Sequence, residues 1–251
     1  MTVLVGIRCK DGIVIGADSS ATFGDGARNR TIEQLTYKKI EIIGEFFIVA
    51  GTGAVGHHQR FVTILREQFD KKAFLGKTYN EIAKLISAFG INEFASTRSP
   101  PDLYSALVGF PCDGKPYLYE FAGPGAFQPE LKDPDDLWFV SMGSGQPIAD
   151  PFLALFRDIF WKSGPPSLQG GIFTSLWALR HACEVNPGGI KEPIHLAVIS
   201  SKGGKMSARK LSAEEMLEHE NVVASATAHI ASFKSILSGE VNTTAHPPKA
   251  T

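Results

Sequence analysis

Apolar and polar residues alternate along several short stretches of this chain, which is the pattern of β-strands that bury one face. In the first stretch Val3, Val5 and Ile7 alternate with other residues, and an Asp11-Gly12 pair then provides a strong turn signal. The sequence therefore predicts an N-terminal β-hairpin, and similar patterns recur farther along. The predicted hairpins have strands at 2–9 and 12–20, 38–43 and 46–50, 103–110 and 115–122, and 194–200 and 205–210, with a further strand at 138–142.

Apolar residues spaced three and four apart predict amphipathic helices between the hairpins. Two of these helices open with a capping box, in which a Ser or Thr precedes a Glu by three positions. Another is predicted to open at Asp150 and Pro151, because Asp is a frequent N-cap and Pro is favoured at the first helical position. One predicted helix follows the glycine-rich segment 51–56. The others begin at the capping box of Thr78 and Glu81, at Asp150-Pro151, near residue 167, and at the capping box of Ser212 and Glu215.

This order of hairpins and paired helices predicts layers of antiparallel sheet with helices on the outside. No repeat, low-complexity stretch or linker divides the chain, so one domain is expected over residues 1–237. Residues 23–34 are polar and rich in glycine, and we expect them to form a surface loop. Residues 238–251 contain few apolar side chains and are expected to be a disordered C-terminal tail.

The charge balance, the lengths of the apolar runs and the N-terminal sequence each argue against one class of function. The 25 Lys and Arg residues nearly match the 26 Asp and Glu residues and are interspersed with them, whereas nucleic-acid binding usually shows as a basic excess or stripe. No apolar run approaches the roughly 20 residues of a membrane span, and no secretory signal opens the chain. We therefore expect a cytoplasmic protein with neither nucleic-acid nor membrane partners.

The sequence does not indicate a metal or a cofactor. Its three cysteines stand at unrelated spacings without a CxxC pair, which favours buried free thiols in a reducing compartment. His57 and His58 are adjacent, and neighbours on a helix diverge by about 100°, so they are a poor pair of metal ligands. We expect both histidines to lie at the surface or at an interface.

The N-terminus offers a nucleophile and a base on one residue. Removal of Met1 would give Thr2 a free α-amino group beside its own hydroxyl. An α-amine has a pKa of about 8, which suits a base that accepts the hydroxyl proton at neutral pH. Methionine aminopeptidases accept a small second residue, so we expect Met1 to be removed. An ordinary strand threonine is the alternative interpretation.

Five short motifs follow one another along the chain in a recognisable order. They are Thr2 with Val5-Gly6-Ile7, Gly16-Ala17-Asp18-Ser19, Tyr37-Lys38-Lys39-Ile40, Val49-Ala50-Gly51 and Gly143-Ser144-Gly145. This order resembles the proteasome β-subunit and HslV family of N-terminal-nucleophile hydrolases over about residues 2–210, and more closely the bacterial proteasome homologues that lack a long propeptide. The resemblance implies an α/β fold of four layers, an α/β/β/α sandwich in which two antiparallel sheets face each other.

The resemblance assigns three residues to the catalytic centre. Thr2 matches the family's nucleophile, and Lys39 matches the lysine whose positive charge lowers the pKa of the threonine amine. Asp18 matches the aspartate that pairs with this lysine, since a buried ammonium requires a counter-ion. Lys38 precedes Lys39 and would point to the opposite face of a strand, toward solvent.

An oxyanion donor and a substrate cleft are also implied by the resemblance. Gly51 is the expected backbone N–H donor, although a count along other proteasome subunits leads to Gly53 instead. Ser144 matches the family's serine that hydrogen-bonds the threonine amine. Ser20, Ala21 and Gly53 are expected to line the cleft that binds the substrate.

The predicted function is that of a threonine endopeptidase in a ring-like assembly of identical subunits, acting on peptides or unfolded polypeptides. The resemblance also allows an unfoldase ATPase as a partner. One departure from many proteasome subunits is that Glu184 and Pro187 stand where an aspartate and a serine are common. Two alternatives stay open: an N-terminal-nucleophile amidase that acts on a small molecule, and a non-catalytic structural subunit like those of the proteasome's α-type rings.

Overall fold

The computed structural model describes residues 1–23, 32–34, 38–98, 100–123, 126–133, 135, 137–186 and 189–238. The strands within these residues are β1 (Leu4–Arg8), β2 (Gly12–Ala17), β3 (Ala21–Phe23), β4 (Ile32–Gln34), β5 (Ile40–Ile43), β6 (Phe47–Gly53), β7 (Tyr104–Cys112), β8 (Lys115–Phe121), β9 (Pro129–Leu131), β10 (Phe139–Met142), β11 (His195–Lys202) and β12 (Lys205–Lys210). The helices are α1 (Val55–Asp70), α2 (Tyr79–Ser96), α3 (Gln146–Phe160), α4 (Leu168–Val185), α5 (Ala213–Ser232) and α6 (Lys234–Leu237).

Two five-stranded antiparallel sheets form the centre of the fold. The strand order is β10-β1-β2-β11-β12 in the first sheet and β5-β6-β7-β8-β9 in the second. All four hairpins predicted from the sequence are formed, since β1 pairs with β2, β5 with β6, β7 with β8 and β11 with β12. The predicted short strand before the Gly-Ser-Gly motif is β10, which pairs with β1.

Three apolar clusters separate four layers of structure. One cluster joins the first sheet to α3 and α4 and includes Val5 and Leu176. A second joins the other sheet to α1 and α2 and includes Phe61. The third lies between the two sheets, where Ile15 of β2 and Leu107 of β7 are both fully buried. The predicted α/β/β/α sandwich is therefore confirmed.

Alternation along β1 divides its side chains between two of these clusters. Val5 and Ile7 belong to the cluster beneath the helices, whereas Leu4 belongs to the cluster between the sheets. Gly6 lies on the same side as Leu4, and a Cβ at this position would be only 3.1 Å from the side chain of Leu107. The strand is thus packed on both faces, and this packing fixes the position of the two residues that precede it.

One predicted helix start is wrong. Helix α3 begins at Gln146 with Gly145 as its N-cap, so Asp150 and Pro151 lie inside the helix. Asp150 instead accepts hydrogen bonds from Ser141 Oγ at 2.5 Å and from Gln146 Nε2 at 3.0 Å. The carboxylate therefore ties α3 to β10, and this contact takes the place of the predicted cap.

The other helix starts agree with the sequence. Both capping boxes are formed, with Thr78 and Ser212 each accepting a bond from the backbone of the Glu three residues later. Helix α4 begins after Ser167, whose hydroxyl accepts a bond from Gly170 N–H at 3.3 Å. None of the helices in the described ranges is both long enough and apolar enough to cross a membrane.

The segment predicted to be a surface loop, 23–34, contains a strand. Strand β4 pairs with β3, which ends at Phe23, in a two-stranded antiparallel ribbon, so the loop prediction is wrong for residues 23 and 32–34. Backbone pairing can form wherever a chain doubles back, even where the residues show no apolar alternation. Residues 24–31 and all of the predicted tail after Ser238 lie outside the described residues.

Candidate active site

Five residues singled out in the sequence lie together at one end of the two sheets. Thr2 precedes β1, Asp18 follows β2 and Ser144 follows β10, and these three strands are neighbours in the first sheet. Lys39 precedes β5 and Gly51 is part of β6, both in the second sheet. The site is therefore built where the facing sheets meet, with residues from each.

Asp18 and Lys39 form a buried ion pair across the two sheets. Lys39 Nζ lies 2.6 Å from Asp18 Oδ1, and the two side chains are 3% and 0% exposed. Asp18 also accepts hydrogen bonds from the backbone N–H groups of Val3, at 2.9 Å, and Ser20, at 3.1 Å. These donors hold the carboxylate in one orientation, and such additional bonds are what a buried ion pair requires.

The environment of Lys39 has two opposing effects on its pKa. Burial disfavours the ammonium and lowers the pKa of Lys39 below its usual value, while the Asp18 carboxylate opposes this shift. Lys39 Nζ also donates a hydrogen bond of 3.3 Å to the carbonyl of Met1. Because that carbonyl is bonded to the nitrogen of Thr2, the ammonium lies close to the atom that would become the α-amine.

The backbone of Thr2 is held from both sides of its Cα. Its N–H donates to Ser144 Oγ at 3.1 Å, and its carbonyl accepts a bond from Gly145 N–H at 3.1 Å. Neither bond uses the threonine side chain. Ser144 Oγ is therefore within hydrogen-bond distance of the nitrogen that removal of Met1 would convert to an amine.

Gly51 and Gly53 occupy positions where no side chain fits. A Cβ on Gly51 would collide with a ring nitrogen of His58 and the hydroxyl of Tyr104, and one on Gly53 would collide with a backbone carbonyl. Gly53 also has a φ of 110°, which favours glycine. Gly51 N–H donates to the carbonyl of Lys39 at 3.4 Å, longer than a normal hydrogen bond.

A cavity of about 60 Å³ opens beside Thr2. Its wall includes all three residues that are expected to line the cleft, Ser20, Ala21 and Gly53. Met1 is part of the wall, so this volume applies to the chain before Met1 is removed. The other residues of the wall are Met1, Lys39, Gly51, Thr52, Val55 and His58.

His58 is a buried residue of this cavity wall that the sequence reasoning missed. It is 5% exposed, and its Nδ1 lies 2.9 Å from Tyr104 Oη. Its Nε2 is also buried and has no hydrogen-bond partner in the described part of the chain. The expected surface position is wrong because His58 shares one face of α1 with buried Phe61 and Leu65. That spacing of three and four is the signal that would have placed it inside.

The pKa of His58 makes the stability of the protein sensitive to acid. Burial lowers the pKa of His58 to about 4, whereas a histidine in an unfolded chain has a pKa of about 6.5. The folded protein therefore binds this proton less readily than the unfolded chain does. The resulting stabilisation is fully present above the pKa of His58 in the unfolded chain, and it is lost as the pH falls toward the pKa of His58 in the folded protein. Between neutral pH and pH 4, we expect the unfolding free energy of the wild type to fall by roughly 3 kcal/mol more than that of His58→Gln.

Urea denaturation of the two proteins at a series of pH values measures this difference. The difference should develop only below the pKa of an ordinary histidine, because both proteins carry a neutral side chain above it. Parallel stability curves for the two proteins would contradict a buried neutral imidazole at this position.

A segment of residues 189–193 approaches the site from the other side. A Cβ on Gly189 would collide with the side chain of Met1. Ser19 N–H donates to the carbonyl of Lys191 at 2.9 Å, and the Ser19 hydroxyl donates to the carbonyl of Pro193, which is 174 positions away in the chain. Nothing local in the sequence signals the contacts of Ser19 with Lys191 and Pro193, because these residues are so distant in the chain.

Of the two residues that depart from the common pattern, Glu184 is the one within the described residues. Glu184 lies near the end of α4 with its side chain 63% exposed, and it pairs with Arg180 of the same helix at 3.4 Å. Pro187 lies outside the described residues. Within the described ranges, no group of three or more His, Cys, Asp or Glu side chains is arranged to hold a metal ion.

The sequence is similar to members of one protein family. A family model described as "Proteasome subunit" matches residues 2–156, a range that contains all five candidate residues from Thr2 to Ser144. Among curated relatives, the proteasome subunit beta 1 of Thermococcus gammatolerans is 29% identical over 182 residues. The aligned region covers 72% of this chain and 81% of that protein.

Solved structures with the same fold cover nearly the whole chain. The Anbu (Gly-1) mutant from Hyphomicrobium sp. strain MC1 aligns with a TM-score of 0.71 at 15% identity, over 98% of this chain and 100% of that one. The Anbu complex from Pseudomonas aeruginosa, described as a helical assembly, aligns with a TM-score of 0.68 at 17% identity, over 98% of both chains. At such low identities these structural matches establish the fold alone.

Proposed function

This chain belongs to the proteasome subunit family, and on that premise we propose that it is a threonine endopeptidase whose nucleophile is Thr2. The observation that carries the proposal is the arrangement around the Thr2 nitrogen. Ser144 Oγ lies 3.1 Å from this nitrogen, and the Lys39 ammonium, paired with Asp18, lies 3.3 Å from the adjoining carbonyl of Met1. A hydroxyl, an amine and a fixed cation are the groups that this chemistry needs.

The proposed reaction begins once removal of Met1 leaves Thr2 with a free α-amine. The amine accepts the proton of Thr2 Oγ, directly or through a water molecule, as Oγ attacks the carbonyl carbon of a peptide bond. The former carbonyl oxygen then carries a negative charge, to which Gly51 N–H donates a hydrogen bond. The protonated amine returns its proton to the leaving nitrogen as the C–N bond breaks, and an ester of Thr2 remains.

Water then hydrolyses the ester with the same groups. The Thr2 amine accepts a proton from the attacking water, whose oxygen bonds to the ester carbonyl carbon. The amine afterwards gives this proton to Thr2 Oγ as the C–O bond breaks and the carboxylic acid product leaves. The residue is thereby restored for another cycle.

Lys39 and Asp18 have an electrostatic part in this scheme. A cation beside the amine disfavours its protonated form, so the pKa of the amine falls and more of it is free base at neutral pH. Asp18 lies 2.6 Å from Lys39 Nζ and supplies the counter-charge that the buried ammonium needs.

We further propose that identical subunits assemble around an enclosed chamber and act there on peptides or unfolded polypeptides. Exposed apolar side chains on α3 would be covered in such an assembly, since Leu155, Ile159 and Phe160 are 52%, 61% and 47% exposed. We also propose that one domain, residues 1–237, carries this activity and that the protein is cytoplasmic. The family resemblance also allows an unfoldase ATPase as a partner for substrate delivery.

The intact mass of the purified protein tests the requirement for a free amine. We expect a mass lower by one methionine residue than that of the translated chain, because an acylated nitrogen cannot act as the base. Thr2→Leu, whose large second residue prevents removal of Met1, provides the reference mass. A wild-type protein that hydrolyses peptides while retaining Met1 would contradict the mechanism.

The same preparation separates the two alternatives from the proposal. A protein that loses Met1 and assembles but hydrolyses neither peptides nor small amides would be a structural subunit. One that hydrolyses only small amides would be an amidase.

A further inference from the structure

One carboxylate bridges the two ends of the turn that contains Ser144. Asp150 Oδ1 accepts a hydrogen bond from Ser141 Oγ at 2.5 Å, and Asp150 Oδ2 accepts one from Gln146 Nε2 at 3.0 Å. Ser141 lies on β10, three residues before Ser144, and Gln146 begins α3, two residues after it. We infer that Asp150 is a positioning residue that holds Ser144 Oγ within hydrogen-bond distance of the Thr2 nitrogen. This inference rests on the proposed function and adds a residue to it.

The position of the Ser144 hydroxyl depends on the backbone of this turn. Ser144 is exposed, and an exposed side chain has few neighbours packed against it to fix its place. Its Oγ accepts a bond from the Thr2 N–H at 3.1 Å and lies 3.4 Å from the Thr2 carbonyl oxygen. A bond of 3.1 Å is near the upper end of the normal range, so a small displacement of the turn would weaken it steeply.

The turn lies directly against the N-terminal residues. A Cβ on Gly143 would collide with the carbonyl of Thr2, and one on Gly145 would collide with the side chain of Val3. Gly143 also has a φ of 90°, which favours glycine. Because the backbones approach this closely, a displacement of the turn reaches Thr2 without any intervening side chain.

A carboxylate is well suited to hold both ends of the turn. Hydrogen bonds to an ionised acceptor are shorter and stronger than those between neutral groups, and the two oxygens of Asp150 each take one donor. Ser141 is 1% exposed, so its hydroxyl would lose this acceptor in a place that water reaches poorly. A buried hydroxyl without a partner is costly, and the end of β10 would shift to satisfy it.

The kinetics of Asp150→Ala test this role. We expect kcat to fall about tenfold or more, because a small misplacement of a catalytic group has a large effect on rate. KM should change by less than about twofold, since in the proposed scheme neither Asp150 nor Ser144 contacts the peptide. Asp150→Asn should recover most of the lost kcat, because its carboxamide oxygen can still accept the bond from Ser141.

A double-mutant cycle with Ser144→Ala separates positioning from a general effect on folding. Once the hydroxyl of Ser144 is removed, Asp150→Ala has little left to misplace, and we expect it to lower kcat by only about threefold or less in that background. A carboxylate that merely stabilised the fold would lower kcat by the same factor in both backgrounds. All rates are measured with a fluorogenic peptide on assembled protein isolated by size-exclusion chromatography.

Two more variants make the test independent of one substitution. Asp158→Ala removes a carboxylate from the same helix that is 65% exposed and pairs with Arg157 at 3.0 Å, and it should leave kcat unchanged. Ser141→Ala breaks the bond to Asp150 from the other side. We expect it to show the same loss of kcat and the same coupling to Ser144, including in the case that Asp150→Ala does not assemble.

The outcomes distinguish this inference from the proposed function. An unchanged kcat in assembled Asp150→Ala, or a tenfold loss that persists in the Ser144→Ala background, would each overturn the inference and leave Thr2 as the nucleophile. If Asp150→Ala does not assemble, the same two results for Ser141→Ala decide against it. Failure of the wild type to cleave any peptide would overturn the proposed function, and the inference with it.

Discussion

Thr2→Ala is expected to abolish peptide hydrolysis, with a loss in kcat/KM of roughly 10⁴-fold or more, because Thr2 Oγ forms the ester in the proposed mechanism. The substitution should leave the fold intact. The bonds from Thr2 to Ser144 and Gly145, both at 3.1 Å, come from its backbone and do not involve the hydroxyl. An assay with a fluorogenic peptide, combined with size-exclusion chromatography, measures activity and assembly on the same sample.

Two matched variants show whether a loss of activity reflects the chemistry. Thr2→Ser keeps both the hydroxyl and the amine, and it should retain measurable hydrolysis. Thr63→Ala removes a threonine hydroxyl from the exposed side of α1, where it donates to the carbonyl of Gln59 at 2.8 Å, and it should behave like the wild type. Undiminished hydrolysis by Thr2→Ala would mean that another residue is the nucleophile.

Lys39→Ala should lower kcat/KM by roughly 10²-fold or more at neutral pH and move the activity profile to higher pH. Without the ammonium the pKa of the Thr2 amine rises, so a smaller fraction of it is free base at neutral pH. The substitution also leaves the buried carboxylate of Asp18 without its counter-ion. We therefore expect the unfolding free energy to fall by roughly 3 kcal/mol.

The neighbouring lysine supplies a control for both effects. Lys38 is exposed, so Lys38→Ala should change neither the activity profile nor the unfolding free energy by a measurable amount. A pH–rate profile and a urea denaturation curve for each variant separate the two roles of Lys39. A loss of stability with an unshifted profile would show that Lys39 is structural only.

The hairpins are predictable from the sequence because their signals are local. Val5 and Ile7 lie two positions apart and so share one face of the strand, and Asp11-Gly12 supplies the turn. Strands β1 and β2 therefore pair as expected, with Gly6 opposite Ile15. The capping boxes are equally local, since each needs only two residues three positions apart.

The start of α3 depends on a contact that the local pattern does not contain. Asp150 and Pro151 have the properties of a helix start, yet the turn at Gly145 leads directly into the helix. The Asp150 carboxylate accepts a hydrogen bond from Ser141, which lies on a strand. Tertiary contacts of this kind often override capping preferences. Only the folded chain shows which partner the carboxylate has.

Part of the candidate site could be predicted from the sequence because its residues lie in short local motifs. Short motifs mark Thr2, Asp18, Lys39 and Ser144, and in the structure these residues lie within hydrogen-bond distance of one another or of adjoining groups. Motifs do not reveal how a cavity is lined between them. His58 is part of the site because the buried face of α1 packs beside Thr2. That position depends on how the layers pack and not on a local motif.

A threonine-directed electrophile offers the sharpest test of Thr2 Oγ as the proposed nucleophile. Treatment of the assembled protein with a β-lactone, followed by peptide mapping in a mass spectrometer, locates any covalent product. We predict one acyl adduct per chain, on Thr2 of protein that has lost Met1, and none in Thr2→Ala. An adduct on a different residue, or active protein that is inhibited without any modification of Thr2, would contradict the account.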